Sequence, residues 1–129
     1  MAKRRPEPYA PSILVVDDDA QIRTLFRRIL EDAGYFVAEA ASGREGFRFV
    51  RDRFFEVVVM DISMPDMDGF ELLRAIRSEL PDVKALIVSG YMARTFLSIA
   101  QKLGAAATLD KALASESLLP VVCRLIASS

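Results

Sequence analysis

The side chains in this 129-residue sequence that could do chemistry stand at the ends of short apolar runs. Asp17, Asp18 and Asp19 close the first run, Asp61 closes a second, Ser89 a third, and Asp110 with Lys111 a fourth. If these runs are neighbouring strands of a parallel sheet, their carboxyl ends bring three carboxylates, a hydroxyl and an ammonium into one small pocket. Carboxylates a few ångströms apart repel and raise one another's pKa unless a cation shares them. A hard divalent ion such as Mg2+ suits an all-oxygen donor set. Each residue alone has a plainer reading. Asp19, just before Ala20, suits a helix cap; Asp17, Asp18 and Asp61 also suit caps or turns, Ser89 a turn, and Lys111 a solvated charge. Four separate run ends supplying complementary parts point instead to a phosphoryl and metal site.

The elements that must position these residues follow from periodicity. Short β-branched runs alternate with stretches of helical period, the pattern of βαβ units around a parallel sheet. The expected strands are Ile13–Asp17, Phe36–Ala40, Phe55–Asp61, Val83–Ser89 and Ala105–Asp110. The first helix places Ile22, Leu25, Phe26, Ile29, Leu30 and Ala33 on one stripe and stops at Gly34. Its other face carries Arg23, Arg27 and Arg28. The second opens at Ser42 with Glu45 three residues on, and the third at Asp68 with Glu71, both in the form of capping boxes. Pro81 ends the third. A fourth spans Ala93–Leu103 before Gly104, and a fifth presents Leu118, Val122, Leu125 and Ile126, with Pro120 expected in its first turn.

Composition narrows the function classes. With 52% hydrophobic and 27% charged residues the chain fits one folded domain and not a disordered or fibrous one. There is no histidine, which removes the commonest general base, and the single cysteine, Cys123, forms no internal disulfide and reads as a small hydrophobe. Phe47, Phe54 and Phe55 read as core or sheet packing. Lys3, Arg4 and Arg5 less Glu7 give residues 1–12 a charge of +2, so the remainder carries −3 against the total of −1. Bulk attraction to nucleic acid is not expected. Arg44, Arg48, Arg51 and Arg53 lie among Glu45 and Asp52 and read as a solvated mixed face. No apolar run is long enough to span a membrane, and the expected location is cytoplasmic. Residues 1–12, with prolines at 6, 8 and 11, read as a flexible tail, and 13–129 as the folded domain.

The sequence from Ile13 to Ala127 resembles the receiver domain of bacterial two-component response regulators. ILVVDDDA is similar to that family's first strand with its acidic pair, VVVMDISMPDMDGFELL to its phosphoacceptor strand and following loop, and LIVSG and TLDK to its last two strands. Asp61, Met64, Pro65, Asp68 and Gly69 stand at the family's spacing. The resemblance implies an α/β fold: a (βα)5 doubly wound, flavodoxin-like sandwich around a five-stranded parallel sheet of order 2-1-3-4-5. It implies that Asp61 accepts a phosphoryl group from a sensor histidine kinase or phosphotransfer protein. Asp17, Asp18, Asp61 and the Ser63 backbone carbonyl would hold Mg2+, while Ser89 and Lys111 contact the phosphoryl oxygens. The donor histidine lies on the partner, so its absence here is no obstacle.

Two positions depart from the family pattern. Ala112 stands where the family usually has a proline joined by a cis bond; a non-proline cis bond costs about 3 kcal/mol, so the loop is either strained or takes a trans path. Thr108 stands where a switching Tyr or Phe is usual, which leaves Ser89, Thr108 and nearby Tyr91 as switch candidates. The resulting expectation is a stand-alone phosphorylation switch, monomeric or dimerising on phosphorylation, that signals to a downstream protein through its fourth helix, fifth strand and fifth helix. Direct nucleic-acid contact is not expected, since only three residues follow Ile126. One rival is a degenerate receiver serving as a constitutive protein-binding module. The other is a phosphatase using Asp66 and Asp68, whose spacing superficially resembles a DxDG motif.

Overall fold

β-branched residues fit a pleated surface, and strands covered on both faces need no polar alternation. The apolar runs therefore become the sheet. A computed structural model describes residues 10–90 and 94–128, so the expected tail lies outside it up to residue 9. Its strands are β1 (Ser12–Val16), β2 (Phe36–Ala40), β3 (Val57–Asp61), β4 (Lys84–Ser89) and β5 (Ala107–Asp110). Between and after them lie α1 (Ala20–Asp32), α2 (Gly43–Asp52), α3 (Gly69–Glu79), α4 (Arg94–Lys102) and α5 (Ala114–Ala127), the last preceded by a 3-10 turn at Lys111–Leu113. All pairings are parallel and the order is β2-β1-β3-β4-β5, as expected. β1 starts one residue early, and the Pro11 carbonyl accepts the Phe36 N–H at 2.9 Å.

Side-chain alternation divides the interior into two cores. Leu14, Val16, Val58, Met60, Ala85 and Ile87 face α2 and α3, where they meet Val50, Leu72, Leu73 and Ile76. Ile13, Val15, Val57, Val59, Leu86 and Val88 face α1 and α5, against Phe26, Leu30, Leu118 and Val122. Each large apolar side chain so buried stabilises the fold by about 1.5–3 kcal/mol before entropy is subtracted.

The helix ends are held as their sequences suggest. Asp19 Oδ1 accepts the Gln21 and Ile22 N–H groups at 2.9 and 3.4 Å. Ser42 Oγ accepts from Glu45 N–H at 3.2 Å, Glu45 Oε1 accepts from Ala41 N–H at 2.7 Å, and Asp68 Oδ1 accepts from Glu71 N–H at 2.9 Å. Gly34 and Gly104 take φ of 96° and 94°, a region costly for other residues. Both turns close Schellman motifs: Tyr35 N–H reaches Leu30 C=O at 3.2 Å, and Ala105 N–H reaches Ala100 C=O at 2.9 Å. At the opposite edge of the sheet from the acidic residues, Lys84 Nζ donates to the Leu125 carbonyl and to Ser128 Oγ (3.1 Å) at the end of α5.

Three expectations need correction. Pro120 is the seventh residue of α5, not in its first turn. It has no N–H for the carbonyl four residues back, a defect of about 3 kcal/mol in an isolated helix, but Ala114, Leu118, Val121, Val122 and Leu125 bury one face on both sides of it. Cys123 is exposed, and its Sγ lies 3.1 Å from the Tyr35 hydroxyl. Burial first, and the thiol second, push that hydroxyl's pKa up to about 12. Of the three phenylalanines, Phe55 is fully buried and Phe47 half-buried, but Phe54 is 41% exposed. Arg53 stands over the Phe49 and Phe55 rings at 5.8 and 5.3 Å from their centroids, while Arg51 pairs with Asp52 at 3.2 Å.

Candidate functional site

Parallel strands all end on the same side, so β1, β3, β4 and β5 deliver their last residues to one edge of the sheet. Asp17 follows β1, Asp61 ends β3, Ser89 ends β4, and Asp110 ends β5 immediately before Lys111. The register pairs Asp61 with Val88 and Ser89 with Asp110, which keeps these ends level. Asp17, Asp61 and Ser89 are only 2%, 7% and 7% exposed, whereas Asp18 faces solvent.

Each group is held by local backbone. Asp17 Oδ1 accepts the Asp19 N–H at 2.9 Å, and the Asp17 carbonyl accepts Arg23 Nη1 at 2.6 Å. Asp61 accepts the Ser63 N–H. Gly69 lies against the back of Asp61: a Cβ there would stand 2.3 Å from the Asp61 carbonyl oxygen and 2.8 Å from Ile62 Cα, so a side chain at 69 would displace the strand end. Lys111 Nζ sits 2.9 Å from Asp17 Oδ2 and 3.3 Å from Asp61 Oδ2, bridging the two buried carboxylates.

The charges are coupled. Burial raises the Asp61 pKa above its ordinary value and the Asp17 charge adds to this, while the Lys111 ammonium and the Ser63 N–H oppose it. Burial acts against the Lys111 ammonium, yet its bond to Asp17 and the charges of Asp61 and Asp17 outweigh that and raise its pKa. A carboxyl whose folded pKa exceeds its unfolded one gives a stabilising contribution below the unfolded pKa, and that contribution is lost as pH rises through the folded pKa. In metal-free buffer Asp61→Asn is therefore expected to raise the unfolding temperature near neutral pH. The gain should narrow as pH falls toward about 4, the ordinary Asp range. Thermal unfolding with chelator across that range reads the sign directly; a gain that widens on acidification contradicts it.

One carboxylate oxygen from each of Asp17, Asp18 and Asp61 lies within 4.8 Å of the others. This all-oxygen, net-negative set fits a hard divalent cation. Beside it, Ile62, Ser63, Met64, Asp68, Ser89 and Phe96 line a cleft of about 460 Å³, and Phe96 of α4 stacks on Phe70 of α3 at 6.2 Å.

The residues singled out in the sequence thus fall into two groups. Asp17, Asp18, Asp61 and Lys111 meet directly, with Ser63 on the Asp61 carboxylate and Ser89 at the adjoining strand end. Thr108 lies half-buried on β5 opposite Ile87, on the side of the sheet away from α5. Tyr91 falls outside the described residues. Asp68 lines the adjoining cleft and caps α3, while Asp66 accepts the Met67 N–H at 2.8 Å with Arg44 at 3.8 Å. Arg23 was not expected to take part. It sits one helical turn after the cap Asp19, and that spacing is the signal that turns its guanidinium back toward the strand end, where it also bonds Glu39 Oε1 at 3.1 Å. Arg27 first, and Arg23 after it, hold the Glu39 carboxyl below the usual range.

Comparison with known proteins agrees with this geometry. The family model described as "Response regulator receiver domain" matches residues 13–122. Transcriptional regulatory protein ZraR of Escherichia coli O157:H7 is 39% identical over 106 residues, which is 82% of this chain and 24% of that protein. Sensor kinase CckA of Brucella abortus is 42% identical over 87 residues, 66% of this chain and 9% of the kinase. The chain thus spans about a quarter of ZraR and less of the kinase. Among solved structures, a CheY-like response regulator receiver domain protein from Methanospirillum hungatei superposes with TM-score 0.88 at 33% identity, covering 92% of this chain and 95% of that one. Vibrio cholerae chemotaxis protein CheY4 gives 0.84 at 32% identity, covering 90% and 98%.

Proposed function

The chain belongs to the response regulator receiver domain family, the phospho-accepting signalling switches of two-component systems, and on that premise we propose that Asp61 is its phosphoacceptor. The observation that carries the assignment is the bridge from Lys111 to both Asp17 and Asp61, which gathers the parts of a phosphoryl site around one buried carboxylate. An Asp61 carboxylate oxygen forms the bond to phosphorus as the bond from phosphorus to the donor's imidazole nitrogen breaks. The electron pair leaves with the imidazole. A neighbouring carboxylate cluster would oppose that incoming charge, and Mg2+ held by Asp17, Asp18, Asp61 and the Ser63 carbonyl supplies the compensating positive charge when bound. Lys111 moves its ammonium from the Asp61 carboxylate to a phosphoryl oxygen, and the Ser89 hydroxyl bonds another. Positioning and charge neutralisation are what phosphoryl transfer chiefly requires.

The phosphodonor is a sensor histidine kinase or a phosphotransfer protein, and the location is cytoplasmic; no described helix is long and apolar enough to cross a membrane. The expected domain of residues 13–129 extends back to Ser12 of β1 and to Pro11, whose carbonyl accepts the Phe36 N–H, with the basic residues Lys3, Arg4 and Arg5 in an appended tail. Output passes through protein contacts on α4, β5 and α5, with Ser89, Tyr91 and Thr108 as the switch residues. Ile99 and Leu113, 37% and 53% exposed, give this face apolar anchors. It signals as a monomer or as a dimer formed on phosphorylation. Population shift between two arrangements of the face is the mode of readout.

Amide NMR of the wild type and Asp61→Asn, titrated with Mg2+ and then beryllofluoride, tests the assignment. Expected are shifts that need Mg2+, vanish in the variant, and spread from Asp61 through Ser89 to α4. Beryllofluoride shifts that persist in the variant remove Asp61 as acceptor. Shifts confined to the pocket identify a phosphorylated domain without readout.

A further inference from the structure

Lys111 acts at the tip of a long side chain, so the backbone beneath it decides where the ammonium arrives. The residue that follows is Ala112, which has an N–H to give. Asp110 Oδ1 accepts that N–H at 2.9 Å, so a single bond joins the residue before Lys111 to the residue after it. Both ends of this clasp are anchored. Asp110 is the last residue of β5 and pairs in register with Ser89, itself 7% exposed. On the other side the turn Lys111–Leu113 runs directly into α5, whose first residue, Ala114, is 1% exposed. Within this frame Lys111 Nζ lies 2.9 Å from Asp17 and 3.3 Å from Asp61. Asp110 does not belong to the carboxylate cluster of Asp17, Asp18 and Asp61.

We propose that Asp110 is a positioning residue for phosphoryl acceptance: by holding the Ala112 N–H, its carboxylate shapes the turn from which Lys111 reaches Asp61. A proline at 112 would lack that N–H, so side-chain clasp and proline are alternative ways to restrain the same turn. The inference rests on the assignment of Asp61 and Lys111 above.

Asp110→Ala, Asp110→Asn and Ala112→Pro, alone and with Asp110→Ala added to Ala112→Pro, separate the possibilities. Two readouts are taken: amide hydrogen exchange at Ala112 in metal-free protein, and the affinity for beryllofluoride with Mg2+ by NMR titration. Asp110→Ala is expected to remove Ala112 protection and to weaken beryllofluoride binding about fivefold, the scale of one hydrogen bond. Asp110→Asn keeps an accepting Oδ1 and recovers most of the affinity. In the Ala112→Pro background, which has no N–H to clasp, adding Asp110→Ala costs nothing further. Unchanged affinity in Asp110→Ala with Ala112 protection lost reduces Asp110 to a structural cap and overturns the proposal. So does Asp110→Asn as weak as Asp110→Ala, which would mean a charge effect, or an equal loss in the Ala112→Pro background. If the wild type does not bind beryllofluoride, or binds it equally in Asp61→Asn, the Asp61 assignment itself fails.

Discussion

Asp61→Asn is expected to abolish phosphoryl uptake: with acetyl phosphate and Mg2+, covalent incorporation should fall roughly 10³-fold or more. The amide has nearly the shape of the carboxylate and keeps an oxygen for the Ser63 N–H, so the fold is retained, and it is stabilised in metal-free buffer. On the proposed assignment, what disappears is the anionic oxygen that bonds phosphorus. Loss of uptake together with a gain in thermal stability is a combination that misfolding cannot produce. Mass spectrometry of the intact protein reads both the extent and the site of labelling. Wild-type labelling in the variant would move the acceptor to Asp17 or Asp18, the only other carboxylates of the cluster among the described residues.

Lys111→Ala should have the next largest effect, through two routes that Mg2+ separates. Removing the ammonium leaves Asp17 and Asp61 buried together without their bridge. Breaking a fully buried pair costs about 3–5 kcal/mol; with the Lys111 side chain 22% exposed, about 2 kcal/mol is expected in chelator. Added Mg2+ supplies positive charge to the same carboxylates and should restore most of that stability. It should not restore transfer, which is expected to stay about 10²-fold slower, because the donor aimed at the phosphoryl oxygen is gone. Unfolding curves and labelling rates, each with and without Mg2+, give the four numbers needed. Full recovery of the rate by Mg2+ would reduce Lys111 to a structural counter-charge.

What the sequence made legible follows from which forces act locally. Strands rich in Val and Ile, caps at Asp19, Ser42 and Asp68, and stops at Gly34 and Gly104 are decided within a few residues; the caps and stops stand where the pattern places them, and every expected strand is present with its ends moved by no more than two residues. β3, β4 and β5 start later than the expected runs, leaving out Phe55, Glu56, Val83, Ala105 and Ala106, although the Glu56 N–H still reaches the Ser12 carbonyl at 2.9 Å and the Ala106 N–H the Ala85 carbonyl at 2.8 Å, so the ladder bonds extend one residue before β3 and β5. Pro120 misleads for a separate reason. Local chemistry disfavours it within a helix, and the packing of α5 on the sheet overrides the preference. Cys123 follows Val122, which is buried, and one residue along a helix turns about 100° onto the solvent face. At the site, Asp17, Asp18, Asp61 and Lys111 were legible because strand ends of a parallel sheet converge by topology. The part played by Arg23 and the Phe70–Phe96 stack depend on how helices settle against the sheet and against each other, which spacing alone does not fix.

The bond from Lys84 to the Leu125 carbonyl and Ser128 Oγ makes α5 a lever with a fulcrum at its far end. Fourteen residues at 1.5 Å each give an arm of about 21 Å. The other end of that arm is joined through Lys111–Leu113 to the proposed phosphoryl site, so a shift of about 1 Å there would swing the helix by only about 3°. Such a swing would be largest around Leu113 and smallest near Leu125, and it would have to carry with it Ala114 and Leu118, both buried. A partner that grips the upper turns of α5 would feel the stroke of phosphorylation, and one that grips the base would feel a fixed post.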